Sequence, residues 1–326
     1  MRNILFVLVG LGILAVIAVV LIGPSREVPA KPPVIGVVLS APAFSPAFEG
    51  VKAGLRELGF EEGRNISYVV KETTGEATAV GKAIDEVLGT GATLLLTPGV
   101  LTTQVAKKKT TTIPIVFTIV SDPVGEGIAE SLKSSGNNIT GTNPTNEILV
   151  AKRAELLREL LPNAKRLLFP YNNPRTAGLE NLRRAAEKLG FALEEREVKD
   201  LAAFDALLKS IDPLKTDAIM RATDSLSSAR AKALAELAIR LKIPLMGTNS
   251  TDTEMGAVMS FGPNFFLLGK QTARLVEKVL KGARPQDLPI EPPNTVEFSL
   301  NAKTAKAIGV SLPPGLLERA DRVIER

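Results

Sequence analysis

From residue 34 onward, short apolar runs alternate with segments in which apolar residues recur every three or four positions. The run 34–39 is typical of a strand that is covered on both faces of a parallel sheet. A predicted helix follows, with one apolar face made by Phe48, Val51, Leu55 and Leu58. Further predicted strands at 66–70, 93–96 and 113–120 enclose another helix. This alternation predicts a doubly wound α/β lobe.

The same pattern begins again at 166–171, after a stretch rich in Gly, Asn and Thr at 136–145. A helix with a 3-4-3 apolar face follows, and it ends in Leu-Gly-Phe as the first helix does. More strands are predicted at 192–198, 218–221 and 244–247. The sequence therefore predicts two similar α/β lobes, joined near 136–145.

Residues 4–23 are uncharged and long enough, as a helix, to cross a hydrocarbon core of about 30 Å. Such a segment is a secretory signal, an uncleaved membrane anchor or a buried core helix. A core helix is disfavoured because the segment is apolar all round. The run is longer than the usual apolar part of a signal peptide, which favours an anchor. Either membrane role places the rest of the chain outside the cytoplasm, in the periplasm or at the cell surface.

The 326-residue composition removes several classes of chemistry. The chain has no Cys, His or Trp, so it has no disulfides, no Ser-His-Asp triad and no thiolate nucleophile. Its net charge of +5 is spread along the chain, which does not favour a nucleic-acid partner. The segment 75–83 resembles a phosphate-binding loop but has the wrong glycine spacing and no Ser or Thr after its lysine. We expect no catalytic residues, no cofactor and no metal.

Polar residues follow most of the predicted strands. In open α/β sheets, ligands bind at the carboxyl ends of the strands, where small hydroxyl and amide side chains and helix N-termini suit a carboxylate. The alternative for each residue is that it caps the helix that follows. Six such ends, divided between two lobes, favour a shared cleft. They are marked by Ser40, Thr97, Ser121, Asn172, Asp224 and Asn249.

Several blocks of the sequence together resemble one known family. They are Ile-Pro-Ile-Val-Phe at 113–117, Ser-Asp-Pro-Val-Gly at 121–125, Gly-Asn-Asn-Ile-Thr-Gly at 136–141, the segment 152–162, Leu-Gly-Lys-Gln-Thr-Ala at 268–273, and 301–309. The chain resembles the ABC transporter substrate-binding family that includes tryptophan- and tyrosine-binding members. The resemblance covers nearly all of the chain after residue 33.

The resemblance implies a type I periplasmic-binding-protein fold, in which two doubly wound parallel-sheet lobes close on a ligand. We expect residues 1–30 to be the anchor or signal and 31–141 to form lobe 1, to which 263–290 return. We expect 142–262 to form lobe 2, completed by 296–326. The implied partners are a small-molecule ligand and an ABC permease with its ATPase, and the expected state is a monomer.

The resemblance also implies which residues contact the ligand. The candidates are Ser40, Pro42, Phe44, Thr97, Pro98, Ser121, Asp122, Thr140, Gly141, Tyr171, Asn172, Asp224 and Asn249. Asp224 is expected to receive an ammonium group or, alternatively, to cap a helix. Asp122 is expected to contact the ligand or, alternatively, to cap the helix predicted to start near Val124. The loop 40–45 and Phe265-Phe266 differ from the usual family pattern at or beside the expected cleft. The composition and the polar strand ends favour a ligand that is amino-acid-like, possibly aromatic, or a small carboxylate.

The expected function is a solute-binding protein of an ABC importer, not an enzyme. Two alternatives remain open at the level of sequence. A membrane-anchored sensing domain that reports to a signalling partner would have the same cleft. An α/β enzyme is the other alternative, although the chain lacks a recognisable nucleophile or nucleotide motif.

Overall fold

The computed structural model describes residues 32–172 and 178–325. Within these two ranges, no helix is both long enough and apolar enough to cross a membrane. The predicted anchor or signal at 4–23 lies outside the described residues. Both lobes belong to one compact unit that begins at Pro33.

The first lobe is built on a five-stranded sheet in which all neighbouring strands are parallel. Its order is β2-β1-β3-β4-β5. The central strand β3 is buried on both faces, as its continuous apolar sequence requires. The strands are β1 (Val34–Leu39), β2 (Ser67–Glu72), β3 (Leu94–Pro98), β4 (Ile115–Thr118) and β5 (Ile139–Gly141).

Helices cover both faces of this sheet. Leu94 and Leu96 pack into one apolar cluster with residues of α1 and α10, whereas Leu95 packs on the opposite face with residues of α2 and α3. Successive side chains of a strand point to opposite faces of the sheet, so β3 packs against the helices on both faces. The helices are α1 (Ser45–Glu57), α2 (Ala77–Gly89), α3 (Val100–Lys109) and, from later in the chain, α10 (Phe265–Leu280).

Glycines allow α1 and α10 to pack at close range. A Cβ atom built on Gly50 would lie 2.0 Å from the carbonyl oxygen of Phe266, and one on Gly269 would lie 2.0 Å from the carbonyl oxygen of Ala47. Neither position accepts a side chain without separating the helices. This contact fixes the late segment α10 to the first lobe.

The second lobe is built on a seven-stranded sheet of order β12-β11-β10-β9-β8-β6-β7. Its neighbouring strands are parallel except for the antiparallel pair β10–β11. The exception arises because the chain leaves this lobe after β10 and re-enters it from the other lobe at β11. The strands are β6 (Arg166–Tyr171), β7 (Ala192–Glu197), β8 (Ala218–Met220), β9 (Leu245–Gly247), β10 (Met259–Gly262), β11 (Glu297–Asn301) and β12 (Arg322–Ile324).

Helices also pack on both faces of the second sheet. Leu167 and Met220 face an apolar cluster that includes α4 and α5, and Leu168 and Ile219 face one that includes α8. The helices are α4 (Asn146–Leu160), α5 (Leu179–Leu189), α6 (Leu201–Ser210), α7 (Ser225–Ala229), α8 (Ala231–Leu241), α9 (Ser250–Met255), α11 (Ala302–Ile308) and α12 (Pro314–Arg319).

Three crossings connect the lobes, at 142–145, 263–264 and 292–296. The side chain of Gln271 on α10 donates to the carbonyl oxygen of Pro292 (2.7 Å) and accepts from the backbone N–H of Asn294 (3.0 Å). The Oγ1 atoms of Thr272 and Thr142 are 2.9 Å apart. The middle of α10 therefore holds two crossings in place.

The expectation of two parallel-sheet α/β lobes is confirmed. The prediction of a strand over 113–120 was too long, because β4 ends at Thr118 and Ile119 has a φ of 60°. That left-handed conformation is costly for a β-branched residue and ends the strand.

Candidate functional site

A cleft of about 240 Å³ lies between the two lobes, at the carboxyl ends of strands from both sheets. This is where an open parallel sheet binds ligands. Residues of the first lobe come from the starts of α2 and α3 and from the loop after β4, and residues of the second come from the turns after β6, β7 and β8.

The first lobe presents two helix N-termini to the cleft. Gly75, Glu76 and Ala77 at the start of α2 line it, as do Val100 and Leu101 at the start of α3. Neither helix has a side-chain cap hydrogen bond, and neither has an acidic residue in its first turn. The first N–H groups of both helices are thus available to an anionic group.

The loop after β4 adds polar side chains to this wall. Ser121, Asp122 and Glu126 line the cleft after the strained turn at Ile119. Asp122 also accepts a hydrogen bond from the N–H of Gly125 at 2.8 Å, so it caps a turn and faces the cleft at once. Glu126 accepts from Nε2 of Gln104, another lining residue, at 2.9 Å.

The second lobe presents carboxylates instead of open helix ends. Asp224 caps α7, accepting from the N–H of Ser227 at 2.8 Å and from its hydroxyl at 3.0 Å. Asp200 caps α6 in the same way, accepting from the N–H of Ala203 at 2.7 Å. Both aspartates line the cleft. The first lobe therefore offers uncapped helix N–H groups as well as carboxylates, whereas the second lobe offers carboxylates that cap its helices.

Asp224 is a half-buried carboxylate of the cleft wall. Its Oδ2 also accepts from the backbone N–H of Asn172 at 3.2 Å, which ties the ends of β6 and β8 together. Desolvation raises the pKa of Asp224 above its ordinary value, and the hydrogen bonds from Ser227 and Asn172 oppose that rise only partly. A cation bound from the ligand would recover much of this desolvation cost.

The lobes touch at one side of the cleft. Ala229 on α7 packs against the apolar cluster of the first lobe, and α7 contacts the 3₁₀ turn at Pro42–Phe44. A Cβ atom on Gly75 would lie 3.6 Å from the Cβ of Ala229. The structure therefore has the lobes in contact over the cleft.

The structure brings four of the sequence-predicted residues together in the cleft lining, namely Ser121, Asp122, Asn172 and Asp224. For Asp122 and Asp224 the two alternatives are not exclusive, because each is both a cap and a lining residue.

The other predicted residues lie outside the lining. Some hydroxyl and amide groups are buried in hydrogen bonds within their own lobe: Ser40 accepts from Thr102 (3.1 Å), Thr97 pairs with Thr103 (3.0 Å), and Asn249 caps α9. Thr140 faces the carbonyl oxygens of Leu288 and Pro289. Pro42 is exposed, and Pro98 and Gly141 are buried strand residues.

The predicted aromatic residues also pack elsewhere. Phe44 is 3% exposed in the core of the first lobe, and Tyr171 is 7% exposed in the core of the second, where its ring stacks on Phe169 at 6.1 Å. Among the described residues, the cleft lining contains no aromatic side chain.

Many lining residues were not singled out from the sequence. They lie two to eight positions beyond the strand ends, most of them at the starts of the helices that follow. The signal that points to them is the glycine before α3 and the absence of a capping side chain on α2 and α3. These residues are Gly75, Glu76, Ala77, Val100, Leu101, Gln104, Glu126, Lys199, Asp200, Thr223, Ser225 and Leu226.

Two lobes with a polar cleft at their strand ends define a bilobal ligand-binding protein. The family model for ABC transporter substrate binding proteins matches residues 34–324. The chain belongs to this family, as the sequence blocks had indicated. The family is one of extracytoplasmic solute-binding proteins and not of enzymes.

The chain is similar to proteins of three bacteria. It is 24% identical over 277 residues to a tyrosine-binding protein of Clostridioides difficile (strain R20291), covering 84% of this chain and 79% of that protein. The structure of a conserved domain protein from Vibrio cholerae is 29% identical, with a TM-score of 0.81. The structure of an ABC domain in complex with L-Trp from Streptococcus pneumonia is 24% identical, also with a TM-score of 0.81. Each of these two matches covers 90% of this chain and 100% of the matched chain.

Proposed function

We propose that this protein binds a free amino acid between its lobes and delivers it to the permease of an ABC importer. The observation that carries the proposal is the asymmetry of the cleft. The first lobe offers the uncapped N-termini of α2 and α3, and the second offers the carboxylate of Asp224.

An amino acid is complementary to this asymmetry. Its carboxylate would accept from the N–H groups at the start of α3, where the helix dipole favours an anion. Its ammonium group would donate to Asp224, whose charge is poorly solvated. A ligand that contacts both walls binds the closed state better than the open one, so it drives closure by that difference in affinity.

Two points support delivery to a permease. The chain belongs to a family of ABC transporter substrate-binding proteins, and closure of the two lobes on a ligand would tell a permease that the protein is loaded. We further propose that the apolar segment 4–23 holds the protein at the outer face of the cytoplasmic membrane. Such a tether would raise the effective concentration of the receptor near its permease.

Differential scanning fluorimetry of the full chain with the twenty amino acids, sugars and small dicarboxylates tests the binding step. An amino acid at about 100 times its Kd stabilises the folded state by about 2.7 kcal/mol, which corresponds to a rise in Tm of about 5 °C. A rise with sugars and none with any amino acid would contradict the proposal.

A further inference from the structure

A buried arginine lies where two of the crossings meet the second lobe. Arg153 is on α4, which begins directly after the crossing at 142–145, and it is 1% exposed. Its Nε donates to the carbonyl oxygen of Phe261 at 2.7 Å. Phe261 is the penultimate residue of β10, which ends directly before the crossing at 263–264. This one side chain therefore joins the second-lobe ends of both crossings.

The same guanidinium reaches the end of the neighbouring strand. Nη2 of Arg153 donates to the carbonyl oxygen of Thr248, the residue after β9, at 3.2 Å. Gly262 leaves space for this contact, because a Cβ atom on it would lie 1.9 Å from that carbonyl oxygen and 3.0 Å from Nη2 of Arg153. The rigid fork of a guanidinium suits binding to two carbonyl oxygens at once, which a lysine does poorly. Arg153 therefore holds the ends of β9 and β10 together against α4.

From Thr248 the hydrogen bonds continue to the wall of the cleft. Its hydroxyl accepts from Nη2 of Arg221, and Nη1 of Arg221 donates to the hydroxyl of Ser228 at 3.2 Å. Ser228 lies on α7, the helix that Asp224 caps. Buried hydrogen bonds that share partners act as one unit. The crossings are thus linked through the protein to the helix whose N-cap lines the cleft.

The burial of Arg153 is unfavourable by itself. Burial lowers the pKa of Arg153, the neighbouring charge of Arg221 lowers it further, and Asp252 opposes that change. Burying such a charge costs free energy. An apolar side chain would fill the same space without that cost, but it could not bind the carbonyl oxygens of two strand ends. The contacts of Arg153 therefore indicate a role in placing those strand ends.

We propose that Arg153 is a positioning residue for ligand binding, which makes the second-lobe ends of two crossings one rigid unit, so that closure leaves the second-lobe wall of the cleft undistorted. This inference rests on the proposed function and adds to it a residue outside the cleft lining. Bending is then confined to the crossings themselves. A looser attachment would let α7 and Asp224 shift as the lobes close, and a shift of this kind weakens contacts that need a defined geometry.

The chain offers a matched control on the same helix. Arg158 is half-buried and also donates to several backbone carbonyl oxygens, at distances of 2.7 to 3.2 Å. These carbonyl groups lie near the amino ends of β6 and β7, at the edge of the sheet opposite the cleft. They belong to Leu161, Pro162, Ala164 and Leu189. Arg158→Lys therefore removes the same kind of contact away from the crossings.

Isothermal titration of the full chain compares Arg153→Lys with Arg158→Lys. The probe is the one of the twenty common L-amino acids that raises the Tm of the parent most in differential scanning fluorimetry. We expect Arg153→Lys to lower its affinity by at least about threefold and Arg158→Lys to leave it unchanged. Equal affinity in the parent and both variants would overturn the inference and leave amino-acid binding intact. If no amino acid binds the parent, the proposed function is contradicted and the inference with it.

Hydrogen exchange of the ligand-free proteins adds a readout that a stabilising role alone would not move. We expect the amide groups of α7 to exchange at least about threefold faster in Arg153→Lys than in the parent, because this helix loses its link to the crossings. The amide groups of β3 in the same variant, and those of α7 in Arg158→Lys, should keep the parental rate. Parental exchange of α7 in Arg153→Lys would contradict the link.

A second variant keeps Arg153 and breaks the next contact towards the cleft. Thr248→Val preserves the shape of the side chain, removes the hydroxyl that accepts from Arg221, and leaves Arg221 paired with Asp252. We expect the affinity for the same amino acid to fall by at least about twofold. Unchanged affinity in Thr248→Val would overturn the inference, even if Arg153→Lys does not fold.

Discussion

Gly75 and Ala229 meet across the cleft: a Cβ atom on Gly75 would lie 3.6 Å from the Cβ of Ala229. Gly75 belongs to the first lobe, where it has a φ of +81°, and Ala229 ends α7 in the second lobe. The contact has room for small residues only, because the carbonyl oxygen of Ser40 would lie 3.1 Å from the same Cβ. It is a contact between the two lobes at the edge of the cleft.

Enlarging Ala229 should therefore oppose closure. In Ala229→Leu the new side chain meets the Gly75 loop, and overpacking of this kind costs about 1–3 kcal/mol in the closed state. We expect ligand affinity to fall by about tenfold or more, measured by isothermal titration. Small-angle X-ray scattering should show a smaller decrease in radius of gyration on adding ligand.

The matched control is Ala233→Leu, at a half-buried position of α8 in a groove of the second lobe with Leu237 and Glu236. This substitution should leave affinity unchanged. Equal affinity in both variants and the parent would show that the Gly75–Ala229 contact has no part in closure.

Asp224 should make ligand binding depend on pH. Its pKa is raised by desolvation, and an ammonium group binds the ionised form. Affinity for an amino acid should therefore fall as the pH drops through this raised pKa, above the ordinary aspartate value of about 3.9. The stability of the ligand-free protein has the opposite sign, because the folded state takes up the proton more readily than the unfolded state and gains stability as the pH falls through that window.

Asp224→Asn keeps a good N-cap residue and removes the charge. We expect it to lower amino-acid affinity by at least about tenfold and to flatten the pH profile. Asp212→Asn, at a turn outside the cleft lining, serves as the control. Isothermal titration with the ligand at several pH values tests the role of Asp224. An affinity of the parent protein that does not change with pH would contradict that role.

The close packing of α1 on α10 predicts a strong effect of a single methyl group. In Gly50→Ala the added carbon would lie 2.0 Å from a backbone oxygen of Phe266, so the helices must separate. We expect a loss of about 1–3 kcal/mol in the free energy of unfolding, measured by urea denaturation. Gly89→Ala, at the end of α2 with no atom within 4 Å of the new carbon, should be neutral or slightly stabilising. Equal effects at the two positions would argue against the close contact.

The buried ion pair behind the cleft predicts another stability effect. Arg221 and Asp252 are each 3% exposed, and Asp252 also accepts from the backbone N–H of Thr248 at 2.6 Å. Asp252→Ala leaves the guanidinium buried without its counter-charge, which should cost about 3–5 kcal/mol in urea denaturation. Asp205→Ala, whose partner Arg230 is more exposed, should cost about 1 kcal/mol or less. Similar losses of unfolding free energy in the two variants would mean that burial does not determine how much an ion pair contributes to stability.

The sequence predicted the fold more completely than the site. Apolar runs and 3-4-3 spacing reveal strands and helices because burial of those residues holds the lobes together. The same signal locates the strand ends, but it does not tell which residue of a strand end faces the cleft. Thr97 points into its own lobe and pairs with Thr103, whereas Val100 three residues later lines the cleft.

A residue's place in the cleft is decided by the local turn and by contact between distant segments. The turn at Ile119 carries Ser121 and Asp122 into the lining, and no spacing rule predicts a left-handed isoleucine. Gly75 and Ala229 are far apart in the chain, so their contact depends on how the lobes meet. Asp224 was accessible to sequence reasoning because capping and ligand binding favour the same residue at the same position.

The most direct measurement is a crystal structure of the protein with the amino acid that binds it most tightly. We expect one ligand molecule between the lobes, with its ammonium group within hydrogen-bonding distance of Asp224 and its carboxylate at the first turn of α3. A ligand bound to one lobe alone, or at a site that excludes Asp224, would contradict it.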